Sequence, residues 1–243
     1  MTDFRPHFKR VLLKLSGEAL MGDQLFGIDS SILESVASEI SAVHKLGVEV
    51  GIVIGGGNIF RGLQSQAFGV GRVAGDHMGM LATVINALAL AEALQRNGSE
   101  SRVMTAISMV KIAEPYIRKR AISHLSKNRI VLFGAGTGNP FFTTDTAAAL
   151  RAMEIDAEVL LKATKTDGVY DADPQLVPSA SQIPELTYRE VLKKNLKVMD
   201  LTAVSLAMGR ELPIIVFNLR EKGNILKVMA GEKVGTLITG ENS

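Results

Sequence analysis

Not one cysteine occurs in the 243 residues, which excludes disulfide frameworks, thiolate nucleophiles and Cys-based zinc sites together. Excess charge is missing too. Against 27 Lys and Arg stand 25 Asp and Glu, a net of +2, so there is no general electrostatic basis for a nucleic-acid partner and none is expected. The opening stretch Met1 to Arg10 is polar, and the apolar run Val11 to Leu13 is broken by Lys14. Neither a signal peptide nor a membrane span is visible there, and a cytoplasmic location with no membrane partner is expected. Two nucleotide fingerprints are absent as well: no G-x-x-x-x-G-K-[ST] occurs, and the loop at Gly134 reads G-x-G-x-G rather than G-x-G-x-x-G. A P-loop kinase and a standard dinucleotide dehydrogenase are both disfavoured. No metal-ligating set stands out, and no repeat, low-complexity tract or linker divides the chain, so residues 1–243 read as one α/β domain.

What is present is an alternation of strands and helices. Val11 to Leu15 reads as a buried strand ending at Ser16-Gly17. Ile32, Leu33, Val36, Ala37, Ile40, Val43 and Leu46 recur at helical spacing after Ser30 as a possible cap, and Gly47 marks the stop. Val48 to Ile54 is a second strand running into Gly55-Gly56-Gly57-Asn58, which makes a right-handed βαβ unit. The Ala-, Leu- and Met-rich stretch from about His77 to Arg96 predicts one long, mostly buried helix. Further strands are expected at Arg102 to Ile107, Ile130 to Phe133, Val159 to Lys162, Ile214 to Phe217 and Thr236 to Thr239. Helices are expected at Asp145 to Met153 and near Ile225 to Met229, and Thr164 to Pro174 reads as a hairpin or irregular loop. Together these predict a mainly parallel, twisted sheet with helices on both faces and a crevice at the carboxyl ends of the strands.

Three glycine-rich turns follow strands and carry the candidate chemistry. Lys14-Leu15-Ser16-Gly17 places a cation at a strand end before a turn whose N–H groups suit phosphate oxygens; the plainer alternative is a solvated lysine on an ordinary connection. Gly55 to Asn58 removes every Cβ where a ligand would approach closely, and Arg61 beyond it suits bidentate phosphate contact, although a tight turn alone explains the glycines. The third turn, Gly136 to Asp145, joins a close-fitting stretch to Thr143 and Thr144 at a predicted helix start, where free N–H groups favour an anion. Its alternative is simple capping by Thr144 with Phe141 and Phe142 in the core. Asp76 is open to two readings, a helix N-cap, favoured by sequence physics alone, or a carboxylate for ribose hydroxyls. Lys162, Thr164, Lys165, Asp167, Tyr170 and Asp173 follow a strand and are positioned either to address ATP, with Tyr170 against adenine, or to form a polar hairpin.

In this order, LLKLSGEAL from Leu12, VIGGGNIFRG from Val53, GDHMGMLATV from Gly75, GTGNPFFTTD from Gly136, LKATKTDGVYDADP from Leu161 and KVMDLTA from Lys197 resemble the bacterial UMP kinases, a branch of the amino-acid-kinase family. KLSG and GGGN are shared with kinases of amino acids and carbamate, whereas GDHMGMLAT and GTGNPFFTTD are particular to the UMP-kinase branch. The resemblance implies an amino-acid-kinase-like α/β/α sandwich that phosphorylates UMP with ATP and Mg²⁺ in pyrimidine nucleotide biosynthesis. The amino-terminal part would take UMP, and roughly residues 157–243 would take ATP. It implies that Lys14, Leu15, Ser16, Gly17, Gly57 and Arg61 meet ATP phosphates, and that Thr164, Tyr170 and Asp173 hold the adenosine part. Gly56, Asp76 and the run Thr137, Gly138, Asn139, Pro140, Phe141, Phe142, Thr143 and Thr144 would hold UMP. Lys14 and Lys162 would stabilise the transferred group, with Asp145 and Asp200 orienting lysines or magnesium.

A homohexamer regulated by GTP as activator and UTP as inhibitor is implied too, with Gly22, Asp23, Gln24, Leu25, Phe26, Gly27, Arg102 and Arg129 in the regions tied to GTP control. Ala91 and Glu92 stand where an Arg-Asp pair can occur, which weighs against GTP activation. Two other functions stay open from the sequence: a same-fold kinase acting on an amino acid or carbamate, and a nucleotide-sensing regulatory protein.

Overall fold

The computed structural model describes residues 6–60, 69–174, 176–177, 179–196 and 198–240. Its strands are β1 Arg10–Leu15, β2 Glu49–Ile54, β3 Ser101–Thr105, β4 Glu114–Pro115, β5 Ile130–Gly134, β6 Val159–Thr164, β7 Val169–Tyr170, β8 Gln182–Ile183, β9 Glu185–Thr187, β10 Ile214–Asn218 and β11 Thr236–Thr239. Its helices are α1 Ser30–Lys45, α2 Arg72–Arg96, α3 Arg118–Ser126, α4 Thr144–Glu154, α5 Tyr188–Lys193, α6 Leu201–Met208 and α7 Asn224–Met229, with a short 3₁₀ turn at Gly17–Leu20. Among the described residues nine strands form one sheet in the order β4-β3-β5-β2-β1-β6-β10-β11-β9. β11 runs antiparallel to β10 and parallel to β9, and the remaining pairings are parallel. The mainly parallel sandwich expected from the sequence is therefore present, and beside it β7 pairs antiparallel with β8, so the partner strand lies beyond the Thr164 to Pro174 stretch where a hairpin or irregular loop was expected.

Alternation along β1 builds both layers. Val11, Leu13 and Leu15 pack with α1, α2 and α7 on one face, while Leu12 packs with α3, α4, α5 and α6 on the other. Leu12, Leu13 and Leu15 are at most 1% exposed, and each such side chain contributes about 1.5–3 kcal/mol on burial. The helix α2 is long and apolar enough by composition to cross a membrane, yet half of its most apolar stretch is buried within the fold. Its buried side includes Ala87, Leu90, Ala93 and Leu94, in the core shared with α1.

Three helix starts differ from expectation, each for a local reason. The cap of α1 is Asp29 rather than Ser30, because the Asp29 carboxylate accepts from the N–H groups of Ser31 at 2.8 Å and Ile32 at 3.1 Å. Helix α4 is capped by Thr143 rather than Thr144. Helix α2 begins at Arg72, about a turn before His77, so Asp76 lies inside the helix and is not its N-cap.

Candidate active site

Parallel pairing of β1 with β6 sets Lys14 opposite Lys162 in register. Both share the sheet face of Leu12 and Leu160, the face covered by α4, but sit one alternation nearer the carboxyl ends of otherwise apolar strands. There Asp145, in the first turn of α4, receives both ammonium groups: Lys14 Nζ lies 2.8 Å from Oδ1 and Lys162 Nζ 2.8 Å from Oδ2. Lys162 also donates to the Val198 carbonyl. Lys14 is only 8% exposed, so the solvated-lysine reading fails. Burial works to raise the Asp145 carboxyl, but the charges of Lys14 and Lys162 outweigh it and hold its pKa below the ordinary carboxylate value. Burial lowers the Lys162 ammonium pKa, with Lys14 adding to the shift while Asp145 and Asp200 oppose it.

Asp200 caps α6 and ties it to the start of α4. Its carboxylate accepts from the Ala203 N–H at 2.9 Å, from Thr146 Oγ1 at 2.9 and 3.0 Å, and from the Thr143 hydroxyl. Thr143 Oγ1 in turn accepts from the N–H groups of Asp145 at 3.0 Å and Thr146 at 3.2 Å. Both Asp145 oxygens therefore face lysines, and both Asp200 oxygens face hydroxyl donors. Neither carboxylate is arranged as a protein ligand for magnesium, and among the described residues no cluster of three or more His, Asp or Glu forms a cage. This donor set fits magnesium only as an ion carried by nucleotide phosphates, which supply most of its ligands.

The first two glycine turns lie against each other. A Cβ on Gly17 would fall 2.5 Å from both the Gly55 carbonyl oxygen and Asn58 Oδ1, and one on Gly56 would fall 2.7 Å from Ala82 Cβ and 2.8 Å from the Gly79 carbonyl oxygen. No larger residue fits either place. Beneath them a buried amide pair, missed in the sequence, fixes the backbone. Asn86 Nδ2 donates to the Gly55 carbonyl at 2.7 Å and to Asn58 Oδ1 at 2.7 Å, while Asn58 Nδ2 donates to the Gly27 carbonyl at 2.8 Å. Only the polar character of Asn86 within an apolar helix hinted at it.

A cleft of about 400 Å³ opens beside these turns, lined by Gly56, Gly57, Asp76, Gly136, Thr137, Asn139, Phe142, Thr143 and Thr144, with Glu18, Phe60, Gly75, Gly79, Met80 and Thr83 completing its walls. Gly138, Pro140 and Phe141 belong to the same loop but do not line it. Phe141 and Phe142 are 65% and 51% exposed, which overturns their reading as core residues. The Asp76 carboxylate pairs with Arg72 Nε at 2.9 Å and accepts from the Phe141 N–H at 2.8 Å, holding Phe141 at a left-handed φ of +73°.

The remaining candidates fall elsewhere. Leu15 is fully buried and has only its backbone to offer. Thr164 lines a larger cavity of about 690 Å³, with Gly22, Asp23, Gln24 and α1, and Tyr170 and Asp173 belong to the hairpin arm. Leu25 and Phe26 are 95% and 77% exposed at a loop tip. Arg102 and Arg129 pair with Glu100 near the amino ends of β3 and β5, the opposite end of these parallel strands from Gly22 to Gly27 beyond the carboxyl end of β1, so one chain does not bring these two groups together. Arg61 lies outside the described residues.

Comparison with known proteins agrees with this geometry. Residues 9–218 match the model of the amino acid kinase family. The structure of UMP kinase from Bacillus anthracis is similar at 45% identity over 98% of both chains, with a TM-score of 0.94. UMP kinase from Ureaplasma parvum gives 35% identity over 95% of this chain and 98% of that one, at 0.90. Uridylate kinase from Archaeoglobus fulgidus gives 29% over 94% and 99%, at 0.73.

Proposed function

The chain belongs to the amino acid kinase family, and from that premise we propose that it transfers the γ-phosphoryl group of ATP to UMP, giving UDP for pyrimidine nucleotide biosynthesis. The observation that carries the proposal is the pair of register-matched lysines, Lys14 and Lys162, held by one carboxylate beside two glycine turns. Phosphoryl transfer needs little covalent chemistry from the protein: two anions must be aligned and the charge on the moving group neutralised. The UMP phosphate is largely a dianion near neutral pH, so no general base is required. Lys14 and Lys162 stabilise the equatorial oxygens, and Asp145 keeps both ammonium groups at that point. Magnesium supplies further neutralisation as part of the MgATP substrate.

In this reading the cleft at Gly56, Asp76 and Thr137 to Thr144 takes UMP. The turn at Lys14 to Gly17 with Gly57, Arg61, Thr164, Tyr170 and Asp173 takes ATP, the carboxyl-terminal part from about residue 157 forming the donor side. The enzyme works as a cytoplasmic homohexamer inhibited by UTP, and Gly22 to Gly27, Arg102 and Arg129 are the positions through which GTP would act, against which Ala91 and Glu92 weigh.

The deciding experiment couples ADP release to four acceptors: UMP, CMP, dUMP and glutamate. Turnover on UMP above the others is expected, and Lys14→Ala should lower kcat by roughly 10²- to 10³-fold with folding intact. Turnover on glutamate but not UMP would sink the proposal in favour of an amino-acid kinase. Tight UMP binding without ADP release would instead identify a sensor.

A further inference from the structure

Two buried side chains grip the start of the acceptor loop from opposite helices. Ala135 and Gly136, immediately after β5, take left-handed φ values of +62° and +57° in succession, and Ala135 is a fully buried residue that such a backbone strains. From α2, Thr83 Oγ1 accepts from the Ala135 N–H at 2.8 Å while donating to the Met80 carbonyl at 2.6 Å, so both roles of the hydroxyl are used. From α4, Arg151 Nη2 donates to the Gly136 carbonyl at 3.3 Å. Thr83 is 3% exposed and Arg151 5%.

Arg151 is itself held by Glu154 and by the Tyr116 ring. Its Nη1 lies 2.5 Å from Glu154 Oε2, and its guanidinium stacks 4.0 Å from the Tyr116 ring centroid. The Tyr116 hydroxyl donates to the same Glu154 oxygen at 2.7 Å. A buried, paired guanidinium is an expensive way to hold one carbonyl if any conformation of that turn would serve.

We propose that Thr83 and Arg151 are positioning residues for the acceptor nucleotide: together they clamp the Ala135–Gly136 turn so that Thr137, Asn139 and Phe142 face the cleft. The turn closes on itself as well, through the Gly138 N–H to the Ala135 carbonyl at 2.9 Å, so a shift at Ala135 carries directly into the loop. Neither residue has to touch the transferred phosphoryl group. The proposal rests on the UMP reading of the cleft.

Its test is therefore chosen to separate the two. Thr83→Val removes the hydroxyl at nearly constant shape, and should raise the UMP KM about tenfold while kcat and the ATP KM move much less. Thr83→Ser, which keeps the hydroxyl, should return the UMP KM to within about twofold of the unsubstituted protein. Adding Ala135→Gly to Thr83→Val relieves the left-handed strain and should recover part of the loss, a rescue that a general packing defect would not show. Arg151→Lys keeps the charge beside Glu154 but not the fork, and repeats the test from α4 if Thr83→Val folds poorly. In the ligand-free protein, amide hydrogen exchange at Ala135 to Thr137 should be faster in Thr83→Val and Arg151→Lys than in Thr83→Ser. Unchanged UMP KM and unchanged exchange in Thr83→Val and Arg151→Lys would overturn the clamp. An unsubstituted protein that does not phosphorylate UMP would overturn the function reading alone, and the exchange comparison would still decide the clamp.

Discussion

Asp76 illustrates how a residue's role depends on one turn of helix. Placed before a helix it would be a cap; placed inside α2 it faces the cleft and meets Arg72 and the Phe141 N–H. Loss of a cap costs about 1 kcal/mol, whereas an ion pair to a half-exposed Arg72 is worth little. Asp76→Asn should therefore leave the thermal midpoint nearly unchanged and raise the UMP KM, with poorer discrimination between UMP and dUMP. A variant with wild-type UMP kinetics and a lower midpoint would sink this assignment. The glycines, Lys14 and Lys162 were legible because strand-glycine punctuation is local. Asp145 as a partner of the lysines came only through the family resemblance, and the Asn58–Asn86 pair and the hydrogen bonds of Thr83 and Arg151 were not legible at all, since polar residues within helices acquire partners only when distant strands converge.

At the scale of one element, α1 carries two inward titratable groups whose effects oppose each other. Burial raises the Glu39 pKa above 4.5 despite a hydrogen bond from Gly223 and the charge of Lys222, and one carboxylate oxygen has no hydrogen-bond partner. Folding favours its neutral form, so Glu39 stabilises the fold below pH 4.5 and loses that contribution as pH rises through the folded-state value. Burial lowers the His44 pKa below 6.5, against a hydrogen bond to the Asn128 backbone, and its Nε2 is unpartnered. Its contribution is present above pH 6.5 and is lost as pH falls through the folded-state value. Thermal scans from about pH 4 to pH 8 should then diverge. Glu39→Gln should raise the midpoint near neutral pH and unmask the acid loss caused by His44, while His44→Gln should flatten that loss. Parallel curves for wild type and both variants would refute the assignment. The α1 periodicity was plain in the sequence because seven apolar residues share one face. Short α3, α5 and α6 and the two- or three-residue strands β4, β8 and β9 were not, since so few residues show no period and their stability comes from neighbours.

Over the whole molecule, β1 is the boundary on which the chain turns back. From β1 the chain lays down β2, β3, β4 and β5 on one flank, then crosses to build β6, β10, β11 and β9 on the other. Loops from both flanks meet at the carboxyl ends of β1 and β6, so motifs more than a hundred residues apart share one crevice. The same topology leaves α2 half covered: Met78, Leu81 and Ile85, at 41%, 51% and 48% exposure, form one outward stripe at i, i+3 and i+7. Ile112, 59% exposed, extends the apolar surface beside Leu88 further along the helix. Contiguous apolar surface of this kind marks an interaction site, and for the proposed hexamer it is the surface a second copy of the chain would cover. Leu81→Glu places a charge in the middle of the stripe at a position that the monomer already leaves exposed. The fold should survive by circular dichroism, while sedimentation equilibrium shows a species smaller than that of the unsubstituted protein. A Leu81→Glu protein that sediments like the unsubstituted assembly would move the subunit interface off α2, and a monomeric unsubstituted protein would remove the hexamer altogether.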